Sequence, residues 1–187
     1  ILGGCALPKT QVSSLDRVGN DEVIVFGKLR LEPKIQKDEV AHSGMINLSK
    51  SDLHETLFMR ASDAFYDLHG GHAMDHQGSF VVYDDEYYFF SWKKDSPFHI
   101  LGVSFITRWT SRERETVTLR IKEGVKVNHS GKSKAVYVGN ITFVRDEFFN
   151  IKDLKVDQSG YDEAKKEFQK RFNQTWPTEK AKLSPSR

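Results

Sequence analysis

Residues 134–144 read KAVYVGNITFV, and this stretch decides the fold class of the chain. Every second position carries an apolar or small residue, so one face of the segment would carry Ala135, Tyr137, Gly139, Ile141 and Phe143. Alternation with a period of two residues is typical of a β-strand that buries one face. The stretch therefore predicts a β-strand, and the segments on both sides of it show which other elements surround this strand.

Further strands are predicted on both sides of this stretch. Alternating or continuously apolar segments lie at 22–32, 80–83, 87–92, 99–107, 116–122 and 148–156. The acidic run Asp84-Asp85-Glu86 separates two of these segments by a short polar turn, which predicts a β-hairpin. Short strands joined by turns favour an antiparallel β-sandwich.

One helix is predicted near the C-terminus. Tyr161, Ala164, Phe168 and Phe172 recur at helical spacing, which predicts an amphipathic helix over 160–172. The aromatic block at 87–92 carries large rings on both faces, and we expect one face to lie under this helix. The alternative is that this face forms a surface for a partner protein or a glycan. The expected fold is thus mainly β, an antiparallel β-sandwich with one C-terminal α-helix.

The segment 98–144 contains TVTLRI followed by SGKSKAVYVGNITF. It resembles the end of transthyretin-like or immunoglobulin-like sandwich domains in small bacterial envelope lipoproteins. The resemblance implies an architecture. It implies no activity, and no catalytic or binding residue is carried over from it.

The N-terminal run Leu2-Gly3-Gly4-Cys5 resembles the lipobox of bacterial lipoproteins. The chain has one cysteine, and lipidation of Cys5 would account for it in an exported protein. Ala6 differs from the aspartate that retains such lipoproteins at the inner membrane. The resemblance therefore implies a lipid-anchored protein of the bacterial outer membrane, facing the periplasm. The alternative is an incidental free thiol at Cys5.

The composition of the chain and the positions of its glycine and proline residues divide it into four parts. We expect a signal-peptide remnant with the lipobox at 1–5, a flexible tether at 6–21, a single sandwich domain at 22–176 and a flexible tail at 177–187. The 28 Lys and Arg nearly balance the 26 Asp and Glu, and the net charge of +2 argues against a nucleic-acid partner. No apolar run is long enough to span a membrane as a helix, so we expect membrane attachment through the lipid alone.

A histidine-rich stretch supplies the candidate metal ligands. His69, His72, His76 and Asp75 lie within eight residues that also contain glycines, and imidazoles at this spacing suit zinc or copper. The alternative is an exposed, Gly-rich connection whose histidines are solvated. A periplasmic metal-binding lipoprotein is accordingly the second functional hypothesis, and the first needs no cofactor.

The first hypothesis is a non-catalytic binding or assembly module of an envelope complex, with a protein partner. No nucleophile elbow of the Gly-x-Ser-x-Gly type is present, and a turn explains Asp84 and Asp85 without a catalytic role. We therefore predict that the protein is not an enzyme. The basic and aromatic residues around 108–115 are the predicted partner contacts: Arg108, Trp109, Arg112 and Arg114.

Overall fold

The computed structural model describes residues 11–34, 41–42, 55–62, 66, 80–83, 85–109 and 114–186. A short 3-10 helix at Leu15–Arg17 precedes the first strand. The further elements are β1 (Glu22–Glu32), β2 (Ala41–His42), β3 (Glu55–Ser62), β4 (Phe80–Tyr83), β5 (Tyr87–Lys93), β6 (Phe98–Trp109), β7 (Arg114–Asn128), β8 (Ala135–Arg145), β9 (Ile151–Asp157), α1 (Tyr161–Phe172), β10 (Thr178–Lys180) and β11 (Lys182–Pro185). The described chain is mainly β, as predicted, and α1 lies where a helix is expected.

The described strands form two sheets. Sheet I has the order β10-β8-β1-β5, and β9 also pairs with β8. Sheet II has the order β11-β7-β6-β3-β4, and β2 also pairs with β6. The strand predicted at 134–144 corresponds to β8 (Ala135–Arg145), at the centre of sheet I.

The sheets are mixed, and the expectation of purely antiparallel sheets is wrong. β1 and β10 both run parallel to β8, and β2 runs parallel to β6. The chain leaves sheet I after β5 and builds β6 and β7 in sheet II before it returns as β8. A strand that returns after such a crossover can run in the direction of its neighbour, whereas a tight hairpin reverses the chain.

The predicted hairpin around the acidic run at 84–86 is also wrong, because its two arms belong to different sheets. β4 pairs with β3 in sheet II, and β5 pairs with β1 in sheet I. The turn is held to β1 instead: the Asp85 amide donates to the Leu29 carbonyl, and the Asp85 carboxylate forms an ion pair with Arg30. An aromatic-rich pattern identifies two strands but does not say which sheet each one joins.

A shared core lies between the two sheets. Most of its buried residues come from β1, β5 and β8 of sheet I and from β6 and β7 of sheet II. They include Val25, Phe90, Phe98, Leu119 and Phe143.

β8 changes face along its length, and the prediction that Ala135, Tyr137, Gly139, Ile141 and Phe143 share one face is wrong. Val136 and Val138 lie in the shared core while Ala135 and Tyr137 lie on the helix side, but farther along Ile141 and Phe143 lie in the shared core. The β1–β8 register shifts between these two parts, at Val138 and Gly139, and one extra residue exchanges the two faces of a strand.

The helix covers the opposite face of sheet I. Phe168 of α1 is fully buried, with its ring 5.2 Å from that of Phe26, and Phe172 meets Phe89 edge-on at 5.2 Å. This confirms that one face of the aromatic block at 87–92 packs under the helix.

The chain on either side of the predicted domain is more ordered than expected. The tether predicted at 6–21 is structured from Gln11 onward. The Val12 amide donates to the Phe89 carbonyl at 2.8 Å, and Leu15 and Val18 pack against the apolar cluster that sheet I and α1 form together. The tail predicted to be flexible at 177–187 contains β10 and β11. Polar sequences suggest flexible ends, but in both cases a few apolar side chains and open strand edges order them.

Candidate interaction cleft

The predicted site residues fall largely outside the described part of the chain. Cys5, Arg112 and the metal candidates His69, His72, Asp75 and His76 all lie there, so the lipid and metal predictions remain predictions. Among the described residues, no group of three or more His, Cys, Asp or Glu residues is placed to hold a metal ion. The same residues contain no helix long and apolar enough to cross a membrane.

The other predicted partner contacts lie at one end of the β6–β7 ladder. Arg108 is paired with Glu115, and Trp109 with Arg114, while β2 runs along the other side of Arg108 and Trp109. The backbone thus brings Arg108, Trp109 and Arg114 together, which is compatible with a contact region but does not test it.

An apolar cleft opens at one side of the two sheets. We call it the edge cleft. Its walls come from three strands: Ile121, Gly124 and Val125 of β7, Leu154 and Val156 of β9, and Leu183, Ser184 and Pro185 of β11. Its volume is about 590 Å³, which lies in the range of ordinary ligand sites.

An irregularity in β7 shapes the floor of the edge cleft. The pairs Ile100–Val125 and Gly102–Arg120 follow each other in the β6–β7 ladder, so residues 121–124 lie opposite a single residue of β6. A bulge of this kind bends a strand and redirects its side chains. Here it carries Ile121 and Val125 to the cleft wall.

Glycine is required at the end of this bulge. Gly124 has a φ of +64°, in the left-handed region that residues with a Cβ atom seldom adopt. A Cβ atom there would also lie 3.0 Å from the Ser186 hydroxyl and 3.1 Å from the Ile100 carbonyl. The bulge thus fits closely against the end of the C-terminal segment.

β9 forms the opposite wall and is an edge strand. It pairs with β8 along one side, and no described strand pairs with its other side. The Leu154 amide donates to the neighbouring Asp153 carboxylate at 2.8 Å, so this amide is satisfied by a side chain. Charged side chains at a sheet edge are a common protection against unwanted strand pairing.

The turns at both ends of β9 are held by carboxylates. Before the strand, Asp146 accepts hydrogen bonds from the Phe148 and Asn150 amides and pairs with Lys152. At its end, Asp157 accepts from the amide and the hydroxyl of Ser159, both at 2.8 Å. Hydrogen bonds from the Asn150 backbone, and next from Lys152, lower the pKa of Asp146, while those from Ser159 lower the pKa of Asp157. Both carboxyls are therefore ionised at neutral pH, and β9 is held between two ordered turns.

The described lining of the edge cleft is almost entirely apolar. Its only side-chain polar group is the Ser184 hydroxyl, and no acid, base or nucleophile of catalytic type faces it from the lining residues. General acid–base and nucleophilic catalysis both require such a group within hydrogen-bonding reach of the substrate.

A second opening, of about 410 Å³, is lined by Asp21, Lys93, Lys94, Asp95 and Ser96. It lies where the turn after β5 meets the start of β1, and the Lys94 amide donates to the Asp21 carbonyl at 2.7 Å. Its lining mixes charges of both signs and includes the exposed residues Lys93 and Asp95. Its residues therefore form neither an apolar surface nor a patch of uniform charge that would favour a particular partner.

Sequence reasoning missed the edge cleft. Leu154 and Val156 fall in the predicted strand at 148–156, and Leu183 falls in the predicted tail. One signal was present in the sequence: the segment 151–157 reads IKDLKVD, with charges of both signs beside each apolar residue, as edge strands often have. Nothing in the sequence places β11 or the bulge of β7 beside it.

Comparison with known proteins identifies no relative of this chain. No family model, no curated protein and no solved structure matches it.

Proposed function

We propose that the protein is a non-catalytic, lipid-anchored assembly module of the bacterial envelope, and that the edge cleft and the open edge of β9 bind a protein segment. In this proposal Cys5 carries the lipid, at the outer membrane and facing the periplasm. In the same proposal the two sheets with their shared core are taken as a β-sandwich of transthyretin-like or immunoglobulin-like type.

The observation that carries the proposal is the position of an apolar cleft beside an open strand edge. A segment in extended conformation can join such an edge through main-chain hydrogen bonds and place every second side chain in the cleft. Each apolar side chain buried there contributes about 1.5–3 kcal/mol to binding. Several such side chains are needed to offset the entropy that the two partners lose on association.

A lipid anchor would strengthen such binding without adding any contact. Confinement to a membrane raises the effective concentration of a partner that is held on the same surface. A modest interface is then sufficient for assembly.

The anchor is tested by mass spectrometry of the protein produced with a complete bacterial signal peptide. We expect a mature N-terminus at Cys5 that carries acyl chains, and release of a Cys5→Ala variant from the membrane fraction. An unmodified Cys5 in membrane-free protein would remove the lipid from the proposal.

The cleft is tested by a photo-crosslinking amino acid at Ser184, an exposed residue of the cleft wall. The control position is Glu163, whose side chain is 74% exposed on α1, away from the cleft. We expect one adduct of defined mass from position 184 in cell envelopes, absent from position 163 and lost when Val156→Asp places a charge in the cleft. Equal adducts from both positions, or none, would contradict a binding role for the cleft.

A further inference from the structure

The open edge of β9 has a charge pattern that is complementary to itself. Asp153 and Lys155 are exposed and flank Leu154, whose side chain turns toward the shared core. Neighbouring residues of a strand point to opposite faces, so Asp153 and Lys155 lie on the same face, the one turned away from the core. An acid and a base thus stand on either side of an apolar residue.

An antiparallel strand from a second copy meets this pattern in a small set of registers. A twofold axis normal to the sheet keeps the core faces of both copies on the same side of the joined sheet. Residues that lie opposite each other must then point to the same face. Because neighbouring residues of a strand point to opposite faces, the axis passes through a residue position and not between two residues. With the axis at Leu154, Asp153 of each copy lies opposite Lys155 of the other, twice. The overlap spans β9, including the bulge at Lys152, which has no partner in β8.

Neighbouring registers are less favourable. With the axis at Lys155 or at Asp153, like charges stand opposite each other at the centre, which destabilises a strand pair. With the axis at Val156, Lys155 meets Asp157, but only residues 155–157 overlap within the strands. That register also requires Asp157, which already accepts two hydrogen bonds from Ser159.

The backbone at Leu154 is suited to the same register. Its amide donates to the Asp153 carboxylate and so faces the open edge rather than β8. When the axis lies at Leu154, this amide donates to the Leu154 carbonyl of the second copy and its own carbonyl accepts in return. Asp153 is then released to pair with Lys155.

Lys155 is available for this pairing. In the single chain its ammonium lies 3.8 Å from Glu32, and the two side chains are 59% and 63% exposed. An exposed pair at this distance contributes little to stability, and it does not prevent Lys155 from turning to a second copy.

We infer that the partner at the open edge is a second copy of this chain, paired β9 to β9 in antiparallel orientation about a twofold axis at Leu154. This inference rests on the proposed function, since it names the occupant of the same edge. The pairing extends sheet I across both copies and places both edge clefts on the same side of the joined sheet.

The test is sedimentation velocity over a range of concentrations on the full chain, with Cys5→Ser to exclude disulfide-linked dimers. We expect a reversible dimer that Asp153→Lys or Lys155→Asp weakens about tenfold or more, because each change creates two like-charged pairs. An equimolar mixture of the two variants should dimerise again, since every acid then faces a base. The double variant D153K/K155D should dimerise alone.

Two control variants on α1, Glu163→Lys and Lys166→Asp, make the same changes of charge away from β9 and should leave the dimer unaltered. A monomer at every concentration would overturn the inference, as would a dimer that Asp153→Lys does not weaken. If the wild type is monomeric but the cleft still crosslinks to a different protein, the proposed function stands without this partner. If both results are negative, both proposals are overturned.

Discussion

At the scale of single residues, Asp146 holds the turn that precedes β9. Its carboxylate accepts hydrogen bonds from the Phe148 amide at 2.9 Å and the Asn150 amide at 2.8 Å, and it pairs with Lys152 at 2.9 Å. Between these contacts Phe149 has a φ of +61°, a conformation that a bulky residue adopts only when its surroundings require it. The ionised Asp146 carboxylate holds the amides on both sides of Phe149 and so keeps Phe149 in this conformation.

The pKa of Asp146 gives a prediction about pH. Because the folded-state pKa lies below the ordinary value of 3.8, the ionised form stabilises the fold above that value, and this contribution is lost as the pH falls below it. Asp146→Asn should therefore lower the melting temperature at neutral pH, and the difference from wild type should shrink as the pH falls from about 4 to about 2. Thermal unfolding followed by circular dichroism measures it.

The control for this prediction is Glu147→Gln at the adjacent exposed position. It removes a charge beside the same turn without removing the hydrogen bonds that Asp146 accepts. If the two variants lose the same amount of stability at neutral pH, the turn does not depend on Asp146.

At the scale of elements, the C-terminal segment joins the two sheets. β10 pairs with β8 in sheet I and β11 pairs with β7 in sheet II, with Ala181 between them. The Ala181 amide donates to the Tyr137 carbonyl at 2.8 Å. The Gln158 side-chain amide donates to the Val138 carbonyl at 2.9 Å and the Ala181 carbonyl at 3.0 Å, and so links β8 to this segment.

We predict that Gln158→Ala loosens the C-terminal segment. Two carbonyls lose a donor in a half-buried position, at a cost of about 1–3 kcal/mol. Hydrogen exchange measures this effect. Relative to wild type, the variant should exchange faster at the β10 and β11 amides, while the exchange of the β5 amides should not change. Gln174→Ala, at an exposed position after α1, is the matched control and should leave exchange unchanged. Equal exchange in wild type and Gln158→Ala would show that backbone pairing alone holds the segment.

Prediction of the elements from sequence succeeded where the pattern was local. The strand at 134–144 and the helix at 160–172 are confirmed as β8 and α1, because both segments carry a local apolar pattern. The single buried face predicted for the strand is wrong, since β8 is buried on both faces along its first half and its register shifts near Gly139. β10 and β11 were missed, since short strands in a polar segment carry almost no periodic signal. Their order comes from the open edges of β8 and β7, which are distant in sequence.

At the scale of the whole molecule, the two sheets depend on one core. Phe143 of β8 is fully buried in that core, where Phe98 and Val127 of sheet II also lie. Phe148, five positions along the chain, is 74% exposed at the tip of the next turn. Replacing phenylalanine by alanine at both positions therefore shows how much of the loss of stability is due to burial and how much to the residue type.

We predict that Phe143→Ala destabilises the protein by about 3–5 kcal/mol and Phe148→Ala by no more than about 0.5 kcal/mol. Because the core is shared, Phe143→Ala should reduce the exchange protection of Val136 in sheet I and Val127 in sheet II together. Denaturant unfolding and hydrogen exchange measure these effects. Loss of protection in sheet I alone would show that the sheets unfold separately.

The sequence by itself determined the mainly β class, the central strand β8, the helix and the aromatic face that the helix covers. These follow from local periodicity and from the need to bury large apolar side chains. It also carries the lipobox-like run on which the proposed anchor depends. Only the tertiary structure decided which sheet each strand joins, the parallel pairing of β1 with β8, and the edge cleft formed by β7, β9 and β11. These features depend on contacts between segments that are far apart in the chain, and the alternation of side chains along one strand carries no information about the strand that lies beside it.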